Sequence, residues 1–174
     1  QPKTSWNMAV PRVSTVKVCG HVGRKVSGVT AASGCSAYAG IPLTHRGMSR
    51  SVRFITGHFS NDEPLHIDWH KVADPDCTLV VYMGLANLEP VCESLIEAGL
   101  SASTPAAAIE NGTTKRQQRV LSTLGQLRTT INNTCLKAPV MIIIGEVVSL
   151  AEELDWFQQT LEQGEYDATL AAHR

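Results

Sequence analysis

Residues 78–83 read T-L-V-V-Y-M, a short unbroken apolar run closed by Gly84. A run of that length predicts a strand in the middle of a sheet, with both of its faces covered. Upstream, residues 51–57 alternate around Val52 and Phe54 as a half-buried strand does. Farther upstream, Thr30 is placed as an N-cap before the small-residue segment 31–39, which Gly40 and Pro42 stop, so a helix is expected there. Downstream, Leu88, Val91, Leu95 and Ile96 fall on one helical stripe that Gly99 closes. Residues 105–109 predict a buried strand ending at the turn signal Asn111-Gly112, and residues 119–124 a further strand. An amphipathic helix over 125–133, a β-branched strand over 140–148 and a polar terminal helix over 151–163 complete the pattern. Residues 1–25 show neither helical nor strand periodicity. Strands interleaved with helices imply an α/β sheet covered on both faces, whose ligands sit beyond the carboxyl ends of the strands. The loops after Met83, Ile109 and Val148 are therefore the ones expected to bind.

Composition narrows the function classes. A formal net charge of −1 gives no basic excess for nucleic acid or anionic membrane, so any acidic ligand must be met by local charge. The longest apolar run, interrupted by Glu146, falls short of the ~20 residues that span a bilayer. A soluble protein is expected. Five scattered cysteines without a C-x-x-C pair indicate neither a zinc site nor a disulfide framework, which fits a reducing, cytoplasmic compartment. The run His66, Asp68, His70 would put three ligands on one face of an extended segment, but it reads more simply as a solvent loop, and no metal is expected. No G-x-S-x-G elbow is present.

Three segments carry more than pattern: G-I-P-L-T-H-R-G at 40–47, T-L-V-V-Y-M-G-L at 78–85 and T-P-A-A-A-I-E-N-G-T-T at 104–114. In that order and spacing the chain resembles the tetrapyrrole methylase family, in its uroporphyrinogen-III C-methyltransferase branch, which includes the methylase part of siroheme synthase. The resemblance runs over residues 28–157. It implies the carboxyl-terminal domain of a class III methyltransferase, a mixed sheet flanked by helices, with S-adenosyl-L-methionine bound in a cleft between two domains and S-adenosyl-L-homocysteine released. It also implies a homodimer that methylates uroporphyrinogen III to precorrin-2. By the family pattern, Thr30, Ala31, Met83, Gly84 and Gly112 fall at cofactor-contacting positions and Arg46 at the tetrapyrrole. Acid and base residues are assigned by the family to an amino-terminal domain that has no counterpart in residues 1–26, so the catalytic residues stay unknown.

The expected organisation is a poorly specified or aberrant segment 1–26, the methylase domain 27–157 and a polar tail 158–174. Ser27 stands where the family carries proline. The residue chemistry is compatible with the resemblance, and each position also has a plainer reading. Met83 offers a flexible thioether or is core; Gly112 meets a ligand or merely turns the chain; Thr30 binds or only caps. Arg46 holds a carboxylate bidentately. Arg50, Arg53, Lys115, Arg116 and Arg119 either extend a basic rim or are solvated surface charges, and His45 is an acid, a base or a structural histidine. Weak or absent methyl transfer is expected of the isolated chain. The alternatives are a non-catalytic remnant that binds ligand and a sibling precorrin methylase.

Overall fold

The computed structural model describes residues 15–18, 21–24, 29–57 and 67–157. The chain divides into two units, residues 1–30 and 31–174.

In the first unit, β1 (Thr15–Val18) pairs antiparallel with β2 (His21–Arg24). No strand was expected here. Thr15, Val16, Val18 and Val22 are β-formers, and a pairing only four residues long is too short to stand out as a period.

The second unit is built on one five-stranded mixed sheet in the order β3-β4-β7-β5-β6. Its strands are β3 (Ser51–Thr56), β4 (Cys77–Tyr82), β5 (Pro105–Glu110), β6 (Gln118–Thr123) and β7 (Val140–Ile144). β3 runs parallel to β4, while β7 is antiparallel to both β4 and β5. The helices are α1 (Ala31–Tyr38), α2 (Trp69–Val72), α3 (Leu88–Glu97) and α4 (Leu127–Thr134), with a 3-10 helix at Glu146–Leu150.

Period-2 alternation sorts the central strands into two cores. Leu79, Val81, Ala106, Ala108, Ile142 and Ile144 face α3 and α4. The intervening Val80, Ala107, Ile109, Met141 and Ile143 face α1 and the 3-10 helix. Leu88, Val91 and Leu95 of α3 are fully covered, each stabilising by roughly 1.5–3 kcal/mol. The mixed sheet flanked by helices agrees with the expected fold class.

Within the second unit, three segments differ from the expectation. The strand predicted over 140–148 stops at Ile144, because Gly145 has φ +145° and its Cβ position lies 3.4 Å from the Cys77 carbonyl oxygen, so the chain turns into the 3-10 helix. Residues 151–154 form turns and 155–156 carry no regular structure, Phe157 is helical, and the remainder of the predicted terminal helix beyond Phe157 lies outside the described residues. The short helix α2 was not anticipated; four residues give no readable period.

Candidate functional site

β4 and β5 point the same way, since both are antiparallel to β7. Their carboxyl ends therefore lie at the edge where β7 begins. A hollow of about 830 Å³ opens there, between the loop after β4 (Met83, Leu85), the turn after β5 (Asn111, Gly112) and the segment leading into β7 (Ala138, Pro139). Ala31 and Cys35 of α1 line it as well. No lining side chain is charged.

Of the sequence-selected positions, Ala31, Met83 and Gly112 share this hollow. Gly84 does not line it. A Cβ there would fall 2.7 Å from Val81 Cγ1, and the Cβ of a residue in place of Gly57 would fall 2.5 Å from the Gly84 Cα, so this glycine serves close packing of two strand-end loops. The same loops are tied by the Gly57 N–H donating to the Tyr82 carbonyl (2.7 Å) and by Asn87 Nδ2 donating to the Gly57 carbonyl (2.6 Å). Thr30 is exposed and belongs to the first unit.

Arg46 lies elsewhere. It is exposed on the loop between α1 and β3 and borders a second hollow of about 530 Å³ with Thr44, His45, Gly47, Ser49 and Arg50. The backbones of His45 and Ser49 bridge this loop, each N–H donating to the other's carbonyl at 3.1 and 3.0 Å. Arg50 pairs loosely with Asp76 (3.9 Å), both exposed, a contact of little energetic weight.

The loop after Val148, expected to bind ligand, is not among the residues lining the first hollow. The parallel-sheet rule places ligands at carboxyl ends, but β7 runs backwards, so its amino-terminal approach through Ala138 and Pro139 takes that place. Arg119 is likewise neither rim nor solvated charge. It donates to the carbonyls of Ala39 (2.6 Å) and Ala151 (2.9 Å) and to Asp155 Oδ2 (2.7 Å), with the ion-pair side chains only 16% and 13% exposed. It therefore fastens β6 to the end of α1 and to the chain after the 3-10 helix. Arg53 donates to the Lys71 carbonyl, and Lys115 and Arg116 are exposed. Of the H-x-D-x-H run, His66 lies outside the described residues, Asp68 pairs with Lys71 at 2.8 Å and His70 is exposed.

Sequence reasoning missed Cys35, Tyr82, Gln117 and Met141. Tyr82 ends β4 and borders the hollow; its hydroxyl accepts from the Ala32 N–H (3.1 Å), and its ring meets Phe54 edge-on at 6.3 Å. One of the free amide donors at the start of α1 is therefore used by the protein itself. Cys35 is buried under Gly112, whose Cβ position would lie 2.3 Å from the Cys35 Sγ. Burial pushes the Cys35 thiol above its usual range, against a smaller lowering by its own backbone, so it is a packing group rather than a ready thiolate.

Backbone strain gathers at the same place. Met83 (φ 52°), Asn111 (φ 50°) and Thr113 (φ 67°) are three of the four non-glycine residues in the left-handed region among the described residues. Asparagine tolerates this region; methionine and the β-branched threonine do not. Met83 is also 62% exposed, and Phe54 51%. Met83 is therefore not a core residue.

Comparison with known proteins gives this geometry a context. The family of Tetrapyrrole (Corrin/Porphyrin) Methylases matches residues 24–128. The siroheme synthase of Azotobacter vinelandii (strain DJ) is 50% identical over 133 residues, 76% of this chain and 28% of that protein. The chain spans less than a third of the length of the curated relatives it matches. Among solved structures, the uroporphyrin-III C-methyltransferase of Thermus thermophilus complexed with S-adenosyl homocysteine superposes with a TM-score of 0.59 at 28% identity, over 71% of this chain and 50% of that one. A cobalamin biosynthetic cobalt precorrin-4 methyltransferase superposes with a TM-score of 0.63 at 22% identity, over 71% of this chain and 52% of that one, a likeness of fold. Among the described residues no helix is long and apolar enough to cross a membrane.

Proposed function

The chain belongs to the tetrapyrrole (corrin/porphyrin) methylase family, and from that premise we propose that it takes part in S-adenosylmethionine-dependent C-methylation of uroporphyrinogen III toward precorrin-2. The observation that carries this reading is the meeting of Ala31, Met83 and Gly112 in one uncharged hollow at the strand ends.

The hollow suits the donor. Its volume of about 830 Å³ lies within the roughly 300–1,000 Å³ of small-molecule sites. A methyl group carried on a cationic sulfonium would supply the electrophile. Its charge disperses on transfer, so a lining of thioether, small side chains and backbone helps by excluding water and fixing alignment rather than by supplying counter-charge. Met83 would lay its thioether against the ligand, and Gly112 would bring backbone close to it. The Asn111 turn and the Ala138-Pro139 approach would close the sides. No residue is assigned to proton transfer.

Arg46 would serve the other reactant. Uroporphyrinogen is rich in carboxylates, and an exposed guanidinium on a bridged loop can hold one through paired hydrogen bonds, with Arg50 adding charge at the same hollow.

Titration calorimetry with S-adenosylhomocysteine tests the cofactor assignment. Met83→Ala should bind on the order of tenfold more weakly than the wild-type chain, ~1.4 kcal/mol. Equal heats and affinities would remove it. A second reading, a chain that folds and holds ligand without turnover, draws on the exposure of Met83 and Phe54. Ligand heats without methyl transfer from the same preparation would favour it.

A further inference from the structure

The turn after β5 is strained on both sides of Gly112, yet its shape defines one wall of the hollow. Its internal bonds hold only its tip: the Thr114 N–H and hydroxyl both donate to the Asn111 carbonyl, at 3.2 and 2.8 Å. What ties it to the rest of the unit is a side chain four residues farther on. The Thr113 N–H donates to Gln117 Oε1 (2.8 Å), and Gln117 Nε2 donates to the Tyr38 carbonyl at the last turn of α1 (2.9 Å). The Gln117 N–H donates in turn to the Thr114 carbonyl (2.9 Å).

We propose that Gln117 is a positioning residue, which holds the Asn111–Gly112–Thr113 turn against α1 in the conformation that receives the ligand. The proposal rests on the cofactor reading of the hollow for its functional part.

Three features support the assignment. The Tyr38 carbonyl is one of the helix-end acceptors that has no partner within α1, so the amide satisfies a group that otherwise needs water. The amide also spans two elements at once, which requires an acceptor and a donor on one planar head; glutamate lacks the donor and methionine lacks both. Finally, the tether acts beside an apolar fit that cannot set the turn alone. Thr113 Cγ2 lies 3.1 Å from the Cβ position of Gly34, and Cys35 Sγ lies 2.3 Å from that of Gly112, so the turn sits flat on the small-residue side of α1. That contact fixes distance, whereas the directional bond to the Thr113 N–H fixes the left-handed backbone. A residue at φ 67° with a branched Cβ relaxes when the bond is lost.

The test is amide hydrogen exchange on the full chain, wild type against Gln117→Met and Gln117→Glu, read beside S-adenosylhomocysteine calorimetry. In Gln117→Met the Thr113 amide should exchange at least about tenfold faster while Ile109 and Ile143 keep their protection. Affinity should fall about tenfold. Gln117→Glu, which keeps the acceptor, should rescue much of the Thr113 protection. Unchanged Thr113 exchange in both variants would overturn the proposal, as would an equal loss across the sheet in both. If Gln117→Met does not fold, Gln117→Ala decides: Thr113 protection and affinity falling as one supports the tether, and affinity unchanged with Thr113 deprotected overturns its functional part. A wild-type chain that gives no ligand heat would sink the cofactor reading while the exchange comparison still judges the tether.

Discussion

Gly112→Ala isolates the contact between the β5 turn and α1. An alanine Cβ at position 112 would lie 2.3 Å from Cys35 Sγ and 3.3 Å from Cys35 Cβ. Non-bonded heavy atoms prefer ~3.5–4.0 Å, so the first contact overlaps by more than about 1 Å. Cys35 is buried among Ala32, Ile109 and Met141 in the second core cluster, which leaves its sulfur little room to swing aside. Overpacking of this kind costs ~1–3 kcal/mol. In a Cys35→Ala background the sulfur is gone, and the nearest atoms are a Cβ at 3.3 Å and Ile109 Cγ2 at 3.5 Å, both tolerable with small shifts. The same substitution should then cost less than ~1 kcal/mol, giving a coupling of about 1–2 kcal/mol. Urea unfolding of the wild type, both single variants and the double variant measures it. Costs that add within ~0.5 kcal/mol would refute the argument, because residue 112 would then owe its glycine to something other than Cys35.

Two other outcomes follow from the packing. Asp155→Asn removes the countercharge of the nearly buried Arg119 and should destabilise by ~1–3 kcal/mol, seen as a lower denaturant midpoint at unchanged slope; an unchanged midpoint would mean that the Ala39 and Ala151 carbonyls suffice. The Cys92 thiol is pushed up from 9.0 to about 11, by burial first and by the neighbouring Glu93 charge second. The folded chain thus resists forming the thiolate, so the contribution is complete below pH 9.0 and is lost as pH rises toward about 11. Wild type should lose stability more steeply than Cys92→Ala across that window, and identical pH slopes would contradict it.

Local pattern made the sheet legible where a strand or helix carries its own period. Val80 and Ile143 sit in apolar strands buried along all or nearly all of their length, and Leu88, Val91 and Leu95 form the stripe of α3, so each advertises its environment along a few residues. Strand direction is not written in that way. Nothing in V-M-I-I-I says that β7 inserts backwards between β4 and β5, and that single fact moves the third wall of the hollow from Val148 to Pro139. The positions proposed for the cofactor came from motif resemblance, and three of them lie together because β4, β5 and α1 converge; Arg46 borders its own hollow on a different loop. Cys35, Tyr82 and Gln117 escaped notice because their roles depend on partners far along the chain, at Gly112, Ala32 and Tyr38. Arg119 looked like a solvent charge for the same reason.

The strand order has a consequence for assembly. β4 and β5 never touch as neighbours; only β7, the last strand of the sheet to be synthesised, zips one to the other. Until Val140–Ile144 emerges, the strands that carry the Met83 and Gly112 tips are not hydrogen-bonded into one sheet. The hollow is thus completed only with that strand in place, and any chain cut short of it would keep the motifs while losing the place where they meet.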